Sequence, residues 1–204
     1  VNSQVITTFS GGAATFADNV LATNTSLNFS IGVAIDGSDN VFIADRFNQR
    51  IRRVDGVTNL IVTVAGTGTP GFTGDGGPAI AATLNNPWEV AVDNSGNLFI
   101  ADVGNDRIRR VDAATGVITT VAGNGTRGFS GDSVPATGAS LNEPSGVAVD
   151  ASGNLFIADY LNNRIRRVDA ATGVITTVAG NGSCCFSGDG GPAISAIIDR
   201  SGSW

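Results

Sequence analysis

Short apolar runs, separated by polar turns, recur along the chain at a fixed interval. The most regular stretch, SGNLFIADYLNNRIRRVD at residues 152–169, occurs in similar form at residues 38–55 and 95–112. Successive copies are 57 residues apart. A fixed period of this length is typical of a repeated supersecondary unit. The chain is therefore predicted to be built from modules and not around one unique site.

Four apolar runs in each module predict four β-strands. Val, Ile and Phe predominate in the runs, and Gly, Asp, Ser and Asn occupy the turns. These residues favour strands and tight turns respectively, and the short loops predict an antiparallel meander. The predicted strands are about 31–36, 41–45, 50–55 and 60–65 in module one, 89–93, 98–102, 107–112 and 117–122 in module two, and 146–150, 155–159, 164–169 and 174–179 in module three.

Glycine-rich connectors follow the modules at residues 66–88, 123–145 and 180–204. Residues 1–11 match the fourth strand of a module, and residues 12–28 form a shorter connector without the GDGGPA signature. We therefore expect the chain to begin at the last strand of one module and to stop within a connector.

The repeated motifs resemble the NHL repeat. They are the GVAID, EVAVD and GVAVD strands, the VFIAD and LFIAD strands, and an Asn-x-Arg-Ile turn into the third strand. The histidine that is usual in the NHL turn is absent, since Gln49, Asp106 and Asn163 stand in its place. Connectors such as GFTGDGGPA resemble those of bacterial secreted or cell-surface NHL proteins.

The resemblance implies an all-β fold: a β-propeller segment of four-stranded antiparallel blades, with three full blades plus a leading outer strand. All of it is expected to form one domain. The expected division is 1–28 for the last strand of a partial blade plus a connector, 29–66 for blade 1, 67–123 for a connector and blade 2, 124–180 for a connector and blade 3, and 181–204 for the trailing connector.

Three blades are too few to close a ring, because propellers close with about 4–8 blades. Members of the family are expected to have six, so we expect another chain to complete this arc. Three arrangements stay open: two half-rings in one propeller, a part excised from a larger six-bladed surface receptor, and head-to-tail filaments. In the filament, a leading assembly strand would complete a neighbour's blade. Its residues are Val5, Ile6, Thr7, Thr8 and Phe9.

The charges of the chain argue against nucleic acid as a partner. All 12 cationic residues are arginine, the 204-residue chain has no histidine, and its net charge is −6. A basic footprint for nucleic acid is therefore missing. No apolar run approaches the roughly 20 residues of a membrane helix, so membrane insertion is not expected.

Charged residues that recur in every module suggest a structural network. Each aspartate that ends the second strand stands five residues before an arginine. A ring of carboxylates around a propeller channel is the functional alternative, but identical residues in every blade favour the fold, and an arginine between packed sheets needs a carboxylate or carbonyl partner. The predicted pairs are Asp45 with Arg50, Asp102 with Arg107, and Asp159 with Arg164.

Three connector aspartates are secondary candidates for metal ligands, because they recur in loops; turn capping is the competing interpretation. They are Asp75, Asp132 and Asp189. The turns at 93–97 and 150–154 resemble the start of a calcium loop, but the closing Glu is missing. Two connectors contain G-x-G-x-x-G without a following helix, so no cofactor is expected.

The two cysteines, Cys184 and Cys185, are adjacent in the last connector. They are a candidate vicinal disulfide, with a bridge to another chain and two surface thiols as the alternatives.

No catalytic arrangement can be built from the sequence, because a nucleophile would lack a base. We expect a non-enzymatic structural or interaction module, extracellular or periplasmic, that associates with copies of itself and presents loops for protein or glycan binding. The alternative is a calcium-dependent propeller enzyme similar to lyases and lactonases.

Overall fold

The computed structural model describes residues 8, 11–12 and 15–198, and this part of the chain is all-β, as predicted. Three antiparallel sheets follow one another along the sequence. Each sheet contains one copy of the sequence repeat, and we name them blades 1, 2 and 3. The predicted assembly strand at residues 5–9 lies outside the described residues, except for Thr8.

The strands are numbered in chain order. Blade 1 contains β1 (Val20–Leu21), β2 (Val33–Ile35), β3 (Val41–Asp45), β4 (Arg50–Val54) and β5 (Leu60–Ala65). Blade 2 contains β6 (Pro87–Val92), β7 (Leu98–Asp102), β8 (Arg107–Val111) and β9 (Ile118–Ala122). Blade 3 contains β10 (Val134–Pro135), β11 (Pro144–Val149), β12 (Leu155–Asp159), β13 (Arg164–Val168) and β14 (Val174–Ala179). In each blade the long strands pair in sequence order, as a meander does.

The first strands of blades 2 and 3 begin earlier than the sequence pattern predicts. β6 starts at Pro87 and β11 at Pro144, and the pairing register shifts directly after each proline. Proline cannot donate to a ladder, but it is tolerated at the first position of a strand. In β6 and β11 the alternation of apolar residues, from which the strands were predicted, therefore begins only after the first residues of the strand.

The connectors add a short outer strand that the sequence pattern did not predict. In blade 1 this strand is β1, which pairs with β5, and in blade 3 it is β10, which pairs with β14. In blade 2 a single bridge joins Pro78 to Val117. Each connector therefore crosses the outer edge of the blade into which it leads.

Each connector is also held to the blade that it leaves. Nη2 of Arg50, on β4, donates to the Thr67 carbonyl at 2.6 Å, and the equivalent Arg107 and Arg164 donate to the carbonyls of Asn124 and Asn181 at 2.7 and 2.8 Å. Gly66 has a φ of +92°, and a Cβ there would collide with the Gln49 carbonyl oxygen. Glycine is required at this position, because only glycine adopts such a φ without steric cost.

The core lies between the blades. Phe42 and Ile51 of blade 1 belong to one buried cluster with Ile100 of blade 2. The opposite face of blade 2, which includes Phe99 and Ile108, forms a second cluster with blade 3. Side chains that alternate along a strand point to opposite faces of the sheet. A middle blade therefore buries both of its faces.

No helix among the described residues is long and apolar enough to cross a membrane.

Candidate functional site

Each blade buries one arginine of its third strand completely. These arginines are Arg52, Arg109 and Arg166. Each arginine meets three further groups, which make a set of four with it: the aspartate that ends the second strand, and a phenylalanine and an aspartate of the preceding connector. We call this set the arginine clamp.

The clamp of blade 2 shows the geometry. Nη1 of Arg109 lies 3.3 Å from Oδ2 of Asp102, and Nη2 lies 2.7 Å from Oδ1 of Asp75. Nη2 also donates to the Thr73 carbonyl at 3.3 Å. The guanidinium carbon stands 4.8 Å from the ring centre of Phe72. The buried charge is thus neutralised by two carboxylates and covered by an aromatic face, as a buried arginine requires.

The other two clamps repeat this geometry. Nη1 of Arg166 lies 3.3 Å from Oδ2 of Asp159, and Nη2 lies 2.9 Å from Oδ1 of Asp132. The guanidinium carbon stands 4.8 Å from the ring centre of Phe129. In blade 1 the connector is shorter, yet it supplies equivalent groups. The distances from Arg52 are 3.5 Å to Asp45, 2.8 Å to Asp18 and 4.3 Å to the ring centre of Phe16.

The aspartates therefore pair with a different arginine from the one predicted. Arg50, Arg107 and Arg164 lie opposite them in the strand register, but make no ion pair with them. Arg107 instead donates to the carbonyls of Asn105 and Asn124, at 3.1 and 2.7 Å. It lies at the end of the strand, where turn and connector carbonyls are in reach. Arg109, two residues further on, lies where carboxylates are the main acceptors.

Burial changes the acidity of the strand-end aspartates. The pKa of Asp102 is raised to about 6 by burial, and hydrogen bonds from Asn105 and the Asn85 amide, with the charge of Arg109, oppose this rise only in part. Burial also raises the pKa of Asp159. The Oδ1 atom of Asp102 accepts from the Asn85 amide at 2.7 Å. The aspartate thereby fixes the end of the connector to the blade.

Two of the predicted metal-ligand candidates, Asp75 and Asp132, are members of clamps. Besides its arginine, Asp75 accepts from the Thr120 hydroxyl at 2.6 Å, and Asp132 accepts from the Thr177 hydroxyl at 3.1 Å. The third, Asp189, has no ion pair or hydrogen bond from its side chain to any described residue. Nowhere in residues 15–198 do three or more His, Cys, Asp or Glu residues meet in a group that could hold a metal ion.

The turns that resemble the start of a calcium loop are closed by their own aspartates. Oδ1 of Asp93 accepts from the amides of Ser95 and Asn97, both at 2.9 Å, and Asp150 does the same with Ser152 and Asn154. These bonds form an Asx turn within the hairpin.

The sulfur atoms of Cys184 and Cys185 are 3.9 Å apart. A disulfide bond is about 2.05 Å long, so the two residues are thiols in this structure. Both side chains are exposed.

A second contact between blades uses the residue that follows the Asn of each turn. Oε1 of Gln49 accepts from the Asn86 amide at 2.7 Å, and Oδ1 of Asp106 accepts from the Glu143 amide at 2.8 Å. In both cases the donor stands 37 residues after the acceptor, directly before the first strand of the next blade. We call this hydrogen bond the blade latch. The sequence showed these positions only as departures from the usual histidine.

Four side chains that do not recur between repeats form an aromatic patch: Phe29, Arg46, Phe47 and Trp88. The rings of Phe29 and Phe47 stack with centroids 5.0 Å apart, and the guanidinium carbon of Arg46 lies 4.2 Å from the ring centre of Trp88. Burial lowers the pKa of Arg46. Phe29 and Phe47 are exposed. A search by period cannot find such a patch, because it detects only what recurs.

The two ends of the arc leave apolar positions open that the middle of the arc buries. Val33 on β2 is 61% exposed, whereas the equivalent Val90 and Val147 are 2% and 7% exposed. At the other end, Phe156 is half-buried, whereas the equivalent Phe99 is buried. We call the face of blade 1 with Val33 and Ile35 the leading edge. The face of blade 3 with Phe156, Ala158 and Ile165 is the trailing edge.

Comparison with known families identifies the repeat. The sequence profile of the Teneurin NHL domain matches residues 58–130 and 125–196. The chain is a member of this NHL-repeat family.

Curated relatives of this NHL chain are eukaryotic proteins that are much longer. It is 35% identical over 139 residues to Protein SUPPRESSOR OF QUENCHING 1, chloroplastic, of Arabidopsis thaliana, and this match covers 65% of the chain and 13% of the relative. It is 40% identical over 100 residues to human Teneurin-4, covering 43% of the chain and 4% of the relative. It is 32% identical over 148 residues to human NHL repeat-containing protein 2, and this match covers 68% of the chain and 20% of the relative. The resemblance to a bacterial secreted type is therefore not confirmed.

Solved structures similar to this NHL arc share its fold. A structural genomics protein of unknown function from Bacteroides thetaiotaomicron matches 83% of the chain with a TM-score of 0.65, at 18% identity and over 40% of its own length. A chain of a Nidogen/Laminin complex matches 76% of this chain with a TM-score of 0.55 and 19% identity, and the match covers 50% of that chain. A gluconolactonase from Xanthomonas campestris matches 75% of this chain with a TM-score of 0.53 and 15% identity, and the match covers 48% of the gluconolactonase chain. The NHL chain thus spans half or less of each of these neighbours.

Proposed function

We propose that this NHL chain is a non-enzymatic interaction module that associates with a second copy of itself through the leading and trailing edges. The exposure of Val33 carries the proposal, because the same apolar position is buried wherever another blade precedes it. Apolar surface of this kind favours association. The repeat also makes the two edges complementary, since each has the shape of one side of an internal blade junction.

Two copies would supply six blades, which is within the range of closed propellers. We propose a closed pair of half-rings and not an open filament, because closure covers both edges of both copies. An open head-to-tail array leaves one edge uncovered at each end.

The charged groups support a structural interpretation over an enzymatic one. The buried arginines and aspartates recur in every blade and are engaged by each other and by connectors. The fold shared with a gluconolactonase carries no chemistry to this chain, because function resides in sites and not in folds. If calcium raised the thermal midpoint, the calcium-dependent enzyme would be favoured.

We further propose that the aromatic patch takes a protein or glycan ligand and that the module works outside the cell. Stacked, exposed rings beside a guanidinium are typical of recognition surfaces. The match to human Teneurin-4, and the fold shared with a chain of the Nidogen/Laminin complex, support this partner class and location.

Sedimentation velocity of edge variants tests self-association. Val33→Asp with Ile35→Asp places two charges on the leading edge, and we expect the variant to sediment as one chain where the parent sediments as two. Val57→Asp is the matched control, because Val57 is 87% exposed in the turn between β4 and β5. It should behave as the parent. A double variant that associates like the parent would contradict the proposal.

A further inference from the structure

The trailing edge carries a buried hydrogen-bond acceptor without a donor. Asn163 occupies the latch position of blade 3 with a φ of 51°, and it is 9% exposed. Its Oδ1 atom has no hydrogen-bond partner among the described residues. The equivalent Gln49 and Asp106 both accept an amide of the following blade. A buried acceptor that stays unpaired costs free energy, so this position favours whatever brings it a donor.

The leading edge carries the complementary donor. Phe29 has a φ of 54°, and the two amides that close latches within the chain, at Asn86 and Glu143, belong to residues with φ of 52° and 49°. Phe29 stands 57 residues before Asn86, at the same position of the repeat. No described residue accepts its amide hydrogen. The acceptor and the donor of one further latch are thus present, at opposite ends of the arc.

We propose that a second copy of the chain completes this latch: its Phe29 amide donates to Oδ1 of Asn163. The inference rests on the proposed self-association and names the contact that sets its register. The same docking brings Val33 and Ile35 of the second copy against Phe156, Ala158 and Ile165. In the chain itself, the equivalent side chains form the clusters between blades 1 and 2 and between blades 2 and 3.

The trailing connector adds half of a clamp. Phe186 is 72% exposed, whereas Phe72 and Phe129 of the complete clamps are 39% and 43% exposed. Asp189 stands 57 residues after Asp132, which holds Arg166. The connector therefore presents an aromatic face and a carboxylate without an arginine between them.

The arginine at the corresponding place in the second copy is Arg52, which its own Phe16 and Asp18 already hold. Two connectors with the same pair of groups then compete for one arginine. Docking exchanges them, so that Phe186 and Asp189 replace Phe16 and Asp18. Because the exchanged contacts are of the same kind, the latch and the covered apolar edges supply the net stabilisation, as in domain swapping.

The latch is tested by Asn163→Gly, which removes the acceptor and suits the positive φ. We expect the dissociation constant of the pair, measured by sedimentation equilibrium, to rise about 3- to 10-fold, the usual effect of one hydrogen bond. The thermal midpoint of the dissociated chain should change little, because Oδ1 has no internal partner and the bond that is lost, from Nδ2 to the Gly182 carbonyl, is long at 3.5 Å. Gln49→Gly is the matched control: it removes a latch within the chain, so it should lower the midpoint of the dissociated chain.

Amide hydrogen exchange gives a second readout. Exchange of the Phe29 amide should slow when the parent associates, and it should slow less in Asn163→Gly at equal fractional association. If the parent associates and Asn163→Gly associates equally tightly, the latch is refuted while self-association stands. If the parent remains a single chain at every concentration, both proposals fail.

Discussion

Nη1 of Arg109 lies 3.3 Å from Oδ2 of Asp102, and both side chains are completely buried. The pair lies where a connector, the second strand and the third strand of a blade meet. Since every blade contains such a pair, these buried charged groups hold each connector to the blade into which it leads.

The first prediction concerns this arginine. Arg109→Leu leaves Asp102 and Asp75 without their counter-charge and should lower the free energy of unfolding by about 3–5 kcal/mol, the usual cost of breaking a buried pair. Arg107→Leu removes hydrogen bonds to carbonyls at the strand end, and should cost about 1–2 kcal/mol. Urea unfolding of both variants checks that Arg109→Leu loses more unfolding free energy than Arg107→Leu. Equal losses would contradict the assignment of the clamp to Arg109.

The second prediction concerns pH. The pKa of Asp102 is raised from 3.8 to about 6 in the folded chain, so the folded state binds more protons than the unfolded state between these values. This contribution to stability is fully present below pH 3.8 and is lost as the pH rises through about 6. The raised pKa of Asp159 acts in the same direction.

Aspartates with lowered pKa, such as Asp112 and Asp169, act in a different window. Their contribution is present above the unfolded pKa and is lost as the pH falls below it. Urea midpoints should therefore decline from pH 4 to pH 6.5 more steeply in the parent than in Asp102→Asn, which lacks the titrating group. Parallel curves for the two proteins would refute the raised pKa.

The third prediction compares two equivalent phenylalanines. Phe99 is buried between blades 2 and 3, so Phe99→Ala should cost about 3–5 kcal/mol. Phe156 is half-buried on the trailing edge, and Phe156→Ala should cost about half as much in dilute solution. At concentrations where copies associate, the cost of Phe156→Ala should increase. Chemical unfolding at two protein concentrations measures this change. If the loss of unfolding free energy caused by Phe156→Ala were the same at both concentrations, the trailing edge would not be covered by a second copy.

The fourth prediction concerns a glycine at the start of a connector. Gly66→Ala introduces a Cβ at a φ of +92° and against the Gln49 carbonyl, so it should cost about 2 kcal/mol or more. Gly37→Ala is the control, because a Cβ there meets no atom within 4 Å and φ is not positive. Thermal unfolding should separate the two variants clearly. A Gly66→Ala protein as stable as the control would show that the connector does not need this turn.

The 57-residue period was sufficient to predict the blades, because alternating apolar residues and turn residues recur with it. The period did not identify the arginine that is buried. Arg107 and Arg109 are two residues apart on the same face of a strand, and the choice between them depends on which acceptors lie nearby in the folded chain. The outer strand β10 was also missed, since Val134 and Pro135 are too few to show alternation.

The parts of the site that involve the connectors were harder to predict. Asp75 and Asp132 attracted attention because they recur, but their arginine partners lie 34 residues later in the sequence. Asp18 was not singled out, because its connector is shorter and lacks the GDGGPA signature. Comparing spacing to the buried arginine would have found it, since Asp18 lies 34 residues before Arg52.

The solution mass of the parent chain, measured by light scattering over a dilution series, tests the central claim most directly. If the leading and trailing edges meet in a closed pair, the mass should be twice the 20.6 kDa of one chain at high concentration and should fall to that of one chain on dilution. A folded protein with the mass of one chain at every concentration would contradict the account.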